Sequence, residues 1–353
     1  MKKYHKNNVQ SLFEKENTLS NLSAMGNPLE ELVKVIDFES FRPQIEAVFE
    51  KQQRKSNAGR RPFDPVMMFK VLFLQRLYGL SDHQTQYQIT DRNSFRVFLG
   101  ICNVDDVPDE KTIWKYREIF TENNKFDEIF ECYLNELKNK GLELNEGKII
   151  DASFVIVPRS RNTREENAEI KKGNGKNLWN GENKKKHKDV DARWTKKNNE
   201  NFFGYKNHVK VDKKTKLVEK YDITSANVHD SQVATSLISE SDKGQQVWMD
   251  AGYTGLDDDM RELEVVPVIC EKGFRNHPLT EEQRESNRQK SKVRSRVEHV
   301  FGFMERAMFG LIFRGIGIVR ARANVALTNL VYNACRMVQI VKYHPEFLEC
   351  KTK

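Results

Sequence analysis

No stretch of the 353-residue chain strings together the roughly 18 apolar residues that a membrane-crossing helix needs. The N-terminus, MKKYHKNNVQSLFEKEN, has no apolar core of an export signal. Membrane spanning and export are therefore not expected, and the chain reads as cytoplasmic. Cysteine is scarce and unpatterned: Cys102, Cys132, Cys270, Cys335 and Cys350 are an odd number, with no CxxC spacing and no HxxxH pair. That excludes a disulfide framework and a zinc site, and fits reduced thiols. No internal repeat is present, which removes solenoids and propellers. Acidic residues are outnumbered, 51 against 59 Lys and Arg, for a net charge of +8. A polyanionic partner is favoured over an acidic protein.

The surplus is concentrated. Residues 159–197 hold 13 Lys/Arg against 6 acids and residues 284–322 hold 10 against 3, so two segments carry more than the whole excess. Taken singly, either reads equally well as solvated surface.

The chain is long enough for more than one core. Residues 1–58 read as a polar helical arm that ends in the exposed connection QQRKSNAGRRP. From 59 to 142 the pattern is all helix. A nearly all-round apolar helix runs from Phe63 to Gly79, with Asp64 as N-cap and Pro65 at N1. Ser81 caps a second helix, Asp91 or Ser94 opens a third, and two more follow Pro108 as far as Gly141. Three short helices with tight turns have the spacing of a helix-turn-helix, which other compact helical units share.

After Gly141 the character changes. Over 145–345 we expect a strand, a hairpin around KKTK, a helix over Asn227–Ser239, then strand, helix, strand, a long helix from Glu281 to Phe309 and a final one from Ala323 to Lys342. That order implies an α/β fold, a mixed sheet flanked by helices behind an all-helical N-terminal part. Residues 158–200, rich in Asn, Gly and Lys, read as a basic mobile insertion.

The first strand, KIIDASFVIVP from Lys148 to Pro158, contains the acid around which the reading turns. Asp151 sits in a β-branched apolar run, where a carboxylate is costly unless paired. Alone it reads equally as a strand-edge turn cap. Asp250, however, falls at the C-terminal end of a later strand and Glu298 on the long helix, where open α/β sheets form crevices. Three carboxylates meeting there persist around cations, and oxygen ligands suit Mg²⁺ or Mn²⁺. Two ions about 4 Å apart suit phosphodiester cleavage or transfer. Arg294 and Arg296 stand ready for phosphate oxygens, although Arg294–Glu298 is also an ordinary i,i+4 surface pair. Asp230 reads as an N-cap and His229 as a group that positions DNA or a metal-bound water; Lys206 and His208, on one face of the first hairpin strand, suit backbone contact. Trp179, Trp194, Phe202 and Phe203 suit base stacking or, more simply, anchoring of the insertion.

Five motifs in order, ASFV after Asp151, FGYKNHVKVD, ITSANVHDSQ, DAGYTG and RSRVEHVFG, resemble bacterial insertion-sequence transposases of the DDE class, most like the insertion sequence 5 family, over about residues 59–340. The resemblance implies a ribonuclease H-like catalytic fold with Asp151, Asp250 and Glu298 as a metal-binding triad for two Mg²⁺ or Mn²⁺ ions. It implies double-stranded DNA as partner, namely the element's terminal inverted repeats and target DNA, with hydrolytic cleavage followed by strand transfer in a homodimeric synaptic complex. The helical block then looks like the end-binding part, with Arg60, Arg61, Arg92 and Arg96 as its DNA contacts. Related enzymes carry a Tyr-x-x-Arg-x-x-x-Glu-x6-Lys signature; here Ser291 replaces the Tyr and Glu305 the Lys, leaving Arg306 as the substitute basic contact. A nuclease without transfer, and a DNA-binding regulator derived from such an element, are the competing readings.

Overall fold

Helix-start chemistry sets most of the boundaries in the computed structural model, which describes residues 14–49, 61–160, 162–197 and 199–348. The N-terminal part contains helices α1 (Glu14–Ala24), α2 (Pro28–Val35), α3 (Arg42–Phe49), α4 (Pro65–Leu77), α5 (Asp82–Asp91), α6 (Asn93–Leu99), α7 (Glu110–Glu122) and α8 (Lys125–Asn139). Asp64 caps α4 by accepting from Met67 N, and Ser81 with Gln84 forms a capping box on α5. The third of the short helices opens one residue from expectation, at Asn93 behind Arg92, and without a side-chain cap.

The second part begins with β1 (Lys148–Ile156), then α9 (Arg164–Lys171), α10 (Glu182–Lys186), β2 (Arg193–Lys197), β3 (Glu200–Asp212) and β4 (Val218–Ser225). It continues through α11 (Ser231–Leu237), β5 (Gln246–Met249), α12 (Asp257–Glu262), β6 (Val266–Ile269), α13 (Glu281–Ala307) and α14 (Ile318–Tyr343). The strands form one mixed sheet in the order β2-β3-β1-β5-β6, with β4 paired to β3. β1 runs antiparallel to β3 and parallel to β5, so the C-terminal ends of β1, β5 and β6 lie at one edge of the sheet. Crevices form at such ends. The expected α/β fold and its element order are therefore present.

Each face of the sheet is covered. On one, a single apolar cluster joins Ile149, Val155, Val209 and Val211 to α13, α14 and the N-terminal helices. α14 is its centre: Val325, Leu330, Val331 and Ala334 are fully buried, packed between the sheet and α2, α4, α7 and α8. Asn333 ties the helix to strand β4, accepting from Val218 N at 2.9 Å and donating to Val218 O at 2.8 Å. On the other face Ile150, Val247 and Met249 pack with Val233 and Leu237 of α11, Tyr253 and Met260. The helical and sheet parts are also locked at the end of α13: Arg76 of α4 donates to Met308 O (3.3 Å) and Gly310 O (2.7 Å). Beside it, a Cβ on Gly79 would stand 2.6 Å from the Phe309 ring, and Gly79 has φ +61. Only glycine accepts both the approach and that backbone.

Two expectations need correction. The basic segment 158–200, expected to be mobile, folds over its described residues into α9, α10 and β2 and is tied down by buried Asp189, which accepts from the Tyr205 hydroxyl (2.7 Å), Ala192 N (2.9 Å) and Gly317 N (3.1 Å). A segment with few apolar residues is ordered here by polar groups that only the tertiary structure brings to it. The helix expected from Asn227 starts instead at Ser231, because Lys206 Nζ binds Val228 O (2.7 Å) and holds the preceding residues in a turn.

Candidate active site

α13 crosses the C-terminal ends of β6, β5 and β1, and its residues spaced three or four apart make the contacts. Asn287 pairs with both backbone groups of Glu271, accepting from N at 2.8 Å and donating to O at 2.9 Å. One turn on, Lys290 donates to Ile269 O at 2.9 Å. Another turn on, Arg294 reaches β1: its guanidinium donates to Asp151 Oδ2 at 3.0 Å and to Glu298 Oε1 at 3.1 Å. The sequence alternative of a simple surface pair thus covers only half of what Arg294 does. Asp250 follows β5, close enough for its charge to act on Asp151, and its Oδ1 accepts from Gly252 N at 2.7 Å and starts the turn DAGYTG.

The three acids therefore share one region, with Arg294 between two of them. Among the described residues no three Asp, Glu, His or Cys side chains are arranged to hold a metal ion. The donor chemistry nevertheless suits a hard divalent cation. Asp151 is 13% exposed, and burial pushes its carboxyl up to about 6, against the pull of Ala152 N–H and Arg294. A carboxylate so incompletely neutralised gains from an additional cation. Glu298, held by Arg294, is 59% exposed and so open to solvent on its other side.

The remaining predicted contacts divide. Arg61, Arg92, Arg306 and His229 are exposed, and Arg96 is half-buried against Asn93. Arg92 lies over the rings of Tyr78 and Phe95 at 5.9 and 5.1 Å, and His229 pairs with Ser231 Oγ at 2.8 Å. Arg60 lies outside the described residues. Arg296 is turned to the opposite side of α13, where it donates to Lys213 O at 2.9 Å. Lys206 and His208, expected to touch DNA, point into the protein instead. α11 covers their face of β3, so Lys206 pairs with Asp230 Oδ1 at 2.8 Å and His208 Nε2 with Thr224 Oγ1 at 2.8 Å. Asp230 consequently makes no side-chain cap on α11. Of the aromatics, Trp179 is buried and donates to Glu166 (2.7 Å), Phe203 is buried, Phe202 stacks on Phe154 at 4.1 Å, and Trp194 remains partly open beneath Arg159.

Sequence reasoning does not single out Tyr253. It is 1% exposed, its hydroxyl has no hydrogen-bond partner among the described residues, and it stands in the field of Asp151, Asp230 and Asp250. Burial first, then those charges, push its phenol well above the usual range, so it stays a donor beside the carboxylates. The DAGYTG motif contains it, but a lone tyrosine in a turn carries no signal of what it faces.

His208 has a measurable consequence. Burial lowers its imidazole from 6.5 to about 4, against Asp230. A base with its folded value below its unfolded one binds the proton preferentially when unfolded. Its neutral form contributes full stability above about pH 6.5, and that stability is lost as pH falls toward 4, by about 3 kcal/mol in all. Chemical denaturation across that window is expected to be flatter for His208→Gln than for the parent; parallel pH curves would refute the assignment.

Two family models match the chain. The Transposase DDE domain model matches residues 144–334, more than half of the chain, and the Transposase domain (DUF772) model matches residues 17–118. A solved structure, the cryo-EM structure of the piggyBac transposase synaptic complex with hairpin DNA, is similar at 10% identity and a TM-score of 0.45, over 88% of this chain and 74% of that one; the likeness is too loose to argue from. With its sheet and both strand-borne acids inside the first match and helices α2 to α6 inside the second, the chain belongs to the transposase family that has a DDE domain.

Proposed function

We propose that the chain binds the terminal inverted repeats of its own insertion sequence and catalyses DNA strand cleavage and strand transfer, with Asp151, Asp250 and Glu298 as the catalytic and metal-binding residues on a ribonuclease H-like fold. The observation that carries this reading is the Arg294 bridge, which joins an acid of β1 to an acid of α13 directly above the strand ends where Asp250 emerges. The three acids would hold Mg²⁺ or Mn²⁺, two ions in all, which supply activation of the attacking oxygen and stabilisation of the leaving one.

The protein's own part is positional. Arg294 keeps Asp151 and Glu298 oriented and neutralised before DNA arrives, and its fork suits a phosphate once it leaves them. Tyr253 offers a donor from below, and α13 fixes the spacing between helix and strand acids. Arg306, His229, Arg61, Arg92 and Arg96, which are exposed or half-buried, would contact the DNA backbone. In this reading 59–142 is the end-binding region, two copies pair the two ends in a synaptic dimer, the chain is of the insertion sequence 5 kind, and the enzyme works in the bacterial cytoplasm.

The test uses the purified chain, Mg²⁺ or Mn²⁺, a duplex carrying the element's ends and a target plasmid. Nicks that leave a 3′-hydroxyl at the terminus, followed by joined products, are expected. Nicks without joining leave the nuclease reading. Specific binding of the ends without nicks leaves the regulator.

A further inference from the structure

α13 turns a second face to a cavity. On the side turned away from Asp151, α13, α14 and the β3–β4 turn enclose a cavity of about 210 Å³ lined by Lys216, His299, Phe303, Tyr332, Arg336 and Gln339. It has three basic residues in its wall and no acid. Arg296 approaches from the same helix, close enough for its charge to act on Lys216. Among the described residues no carboxylate forms an ion pair with Lys216, Arg296, His299 or Arg336.

The site is built rather than merely exposed. Arg336 Nε donates to Thr215 O at 2.7 Å and one of its terminal nitrogens to Gln339 Oε1 at 3.0 Å, which aims the guanidinium. The Tyr332 hydroxyl donates to Lys216 O at 2.8 Å and pins the turn, in which Lys216 adopts φ +62. Arg296 is held by Lys213 O of the same turn. Neutral carbonyls and an amide thus fix cations beside one another and leave their charge uncompensated. Burial, then Arg336 and Arg296, hold the Lys216 ammonium below its usual value. An anion entering the cavity relieves that repulsion.

We propose that this cavity between α13, α14 and the β3–β4 turn is a phosphate subsite that grips a DNA backbone phosphate outside the carboxylate centre. The proposal rests on the functional reading above. Phosphate suits it better than a carboxylate because cations approach from three elements, and a tetrahedral group presents oxygens to all of them. α13 also carries exposed Arg288, Lys292 and Arg306 beside the cavity's His299, so a strand running along this helix meets further basic side chains. A duplex gripped here is held by the helix that also supplies Glu298.

The test compares the full chain with the double variant Lys216→Asn, His299→Gln. Asn accepts the positive φ at 216, and among the described residues no hydrogen bond or ion pair of either side chain holds the fold. Polarisation binding to a labelled duplex is run over a salt series, with inorganic phosphate titrated separately. The variant should bind DNA about tenfold more weakly, with a slope of log affinity against log salt smaller by about one, while Lys216→Arg alone binds like the parent. Inorganic phosphate should bind the parent and not the double variant. Unchanged DNA affinity and slope overturn the proposal even if inorganic phosphate discriminates, since the cavity then takes only the free ion. Parent protein that binds no duplex removes the transposase reading together with the subsite; Glu298→Gln that binds but does not nick leaves that reading standing, whatever the cavity does.

Discussion

Asp151→Asn, Asp250→Asn and Glu298→Gln should each lower strand cleavage by roughly 10³-fold or more, the scale expected when a group that stabilises transition-state charge is removed, while leaving DNA binding and the folded state in place. The geometry says why the fold survives. Asp151 Oδ1 and Asp250 Oδ1 accept from Ala152 N (2.8 Å) and Gly252 N (2.7 Å), and an amide oxygen accepts in the same way. Asp151→Asn even relieves a buried charge, and Arg294 keeps Glu298 as partner. Glu298 is largely exposed, so its loss costs only the few tenths of a kcal/mol of a surface pair. Cleavage of a duplex with the element's ends, beside binding of the same duplex, separates chemistry from affinity. Parent-like cleavage by any of the three variants would remove that residue from the catalytic set.

The second large effect is on stability. Lys148→Met should cost about 3–5 kcal/mol, because it leaves buried carboxylates without their cation. Under the sheet, Lys148 and Lys210 meet Asp212, Glu219 and Asp242, all with side chains no more than 5% exposed. Lys148 binds Glu219 and Leu144 O, and stands 3.7 Å from Asp212 Oδ1 and 3.9 Å from Asp242 Oδ1. Neither of those two oxygens has a hydrogen-bond partner among the described residues, so they rely on the nearby charge of Lys148, with Lys210 on the other oxygen of Asp242. Glu219 is already pushed above the ordinary carboxylate range by burial, against the pull of Lys148 and Lys210. Removing Lys148 raises it further, so the variant's deficit should shrink at acidic pH and grow as pH rises through the raised value. Urea denaturation at several pH values measures both; a loss below about 0.5 kcal/mol would mean that the cluster is neutralised in another way. Lys148 lies three residues before Asp151 on β1, so a partly folded variant is also expected to lose cleavage.

Much of this is legible in the amino-acid sequence alone. Asp64-Pro65 and Ser81 announce helix starts because capping is local chemistry. KIIDASFVIV and QVWM read as strands because β-branched apolar runs fit a covered sheet, and both acids at issue fall in or just after them. Spacing alone puts Arg294 and Glu298 on one helical face. It says nothing of Arg294's reach to Asp151, since 143 residues separate them in the chain. The same holds for Asp189, whose partners Tyr205 and Gly317 lie in other elements and turn a polar, lysine-rich segment into an ordered one.

β3 shows the division most clearly. Its alternation of Lys206, His208 and Lys210 with Tyr205, Asn207, Val209 and Val211 determined by itself that a strand is present and which residues share a face. Alternation reports a difference between two faces; it does not say what covers either. Only the tertiary structure decided that α11 and its neighbours close over the polar face, which removes water and forces those side chains onto Asp230, Thr224 and Asp242 rather than DNA. The physical reason is that periodicity is fixed by backbone geometry within a few residues, whereas desolvation depends on segments far along the chain.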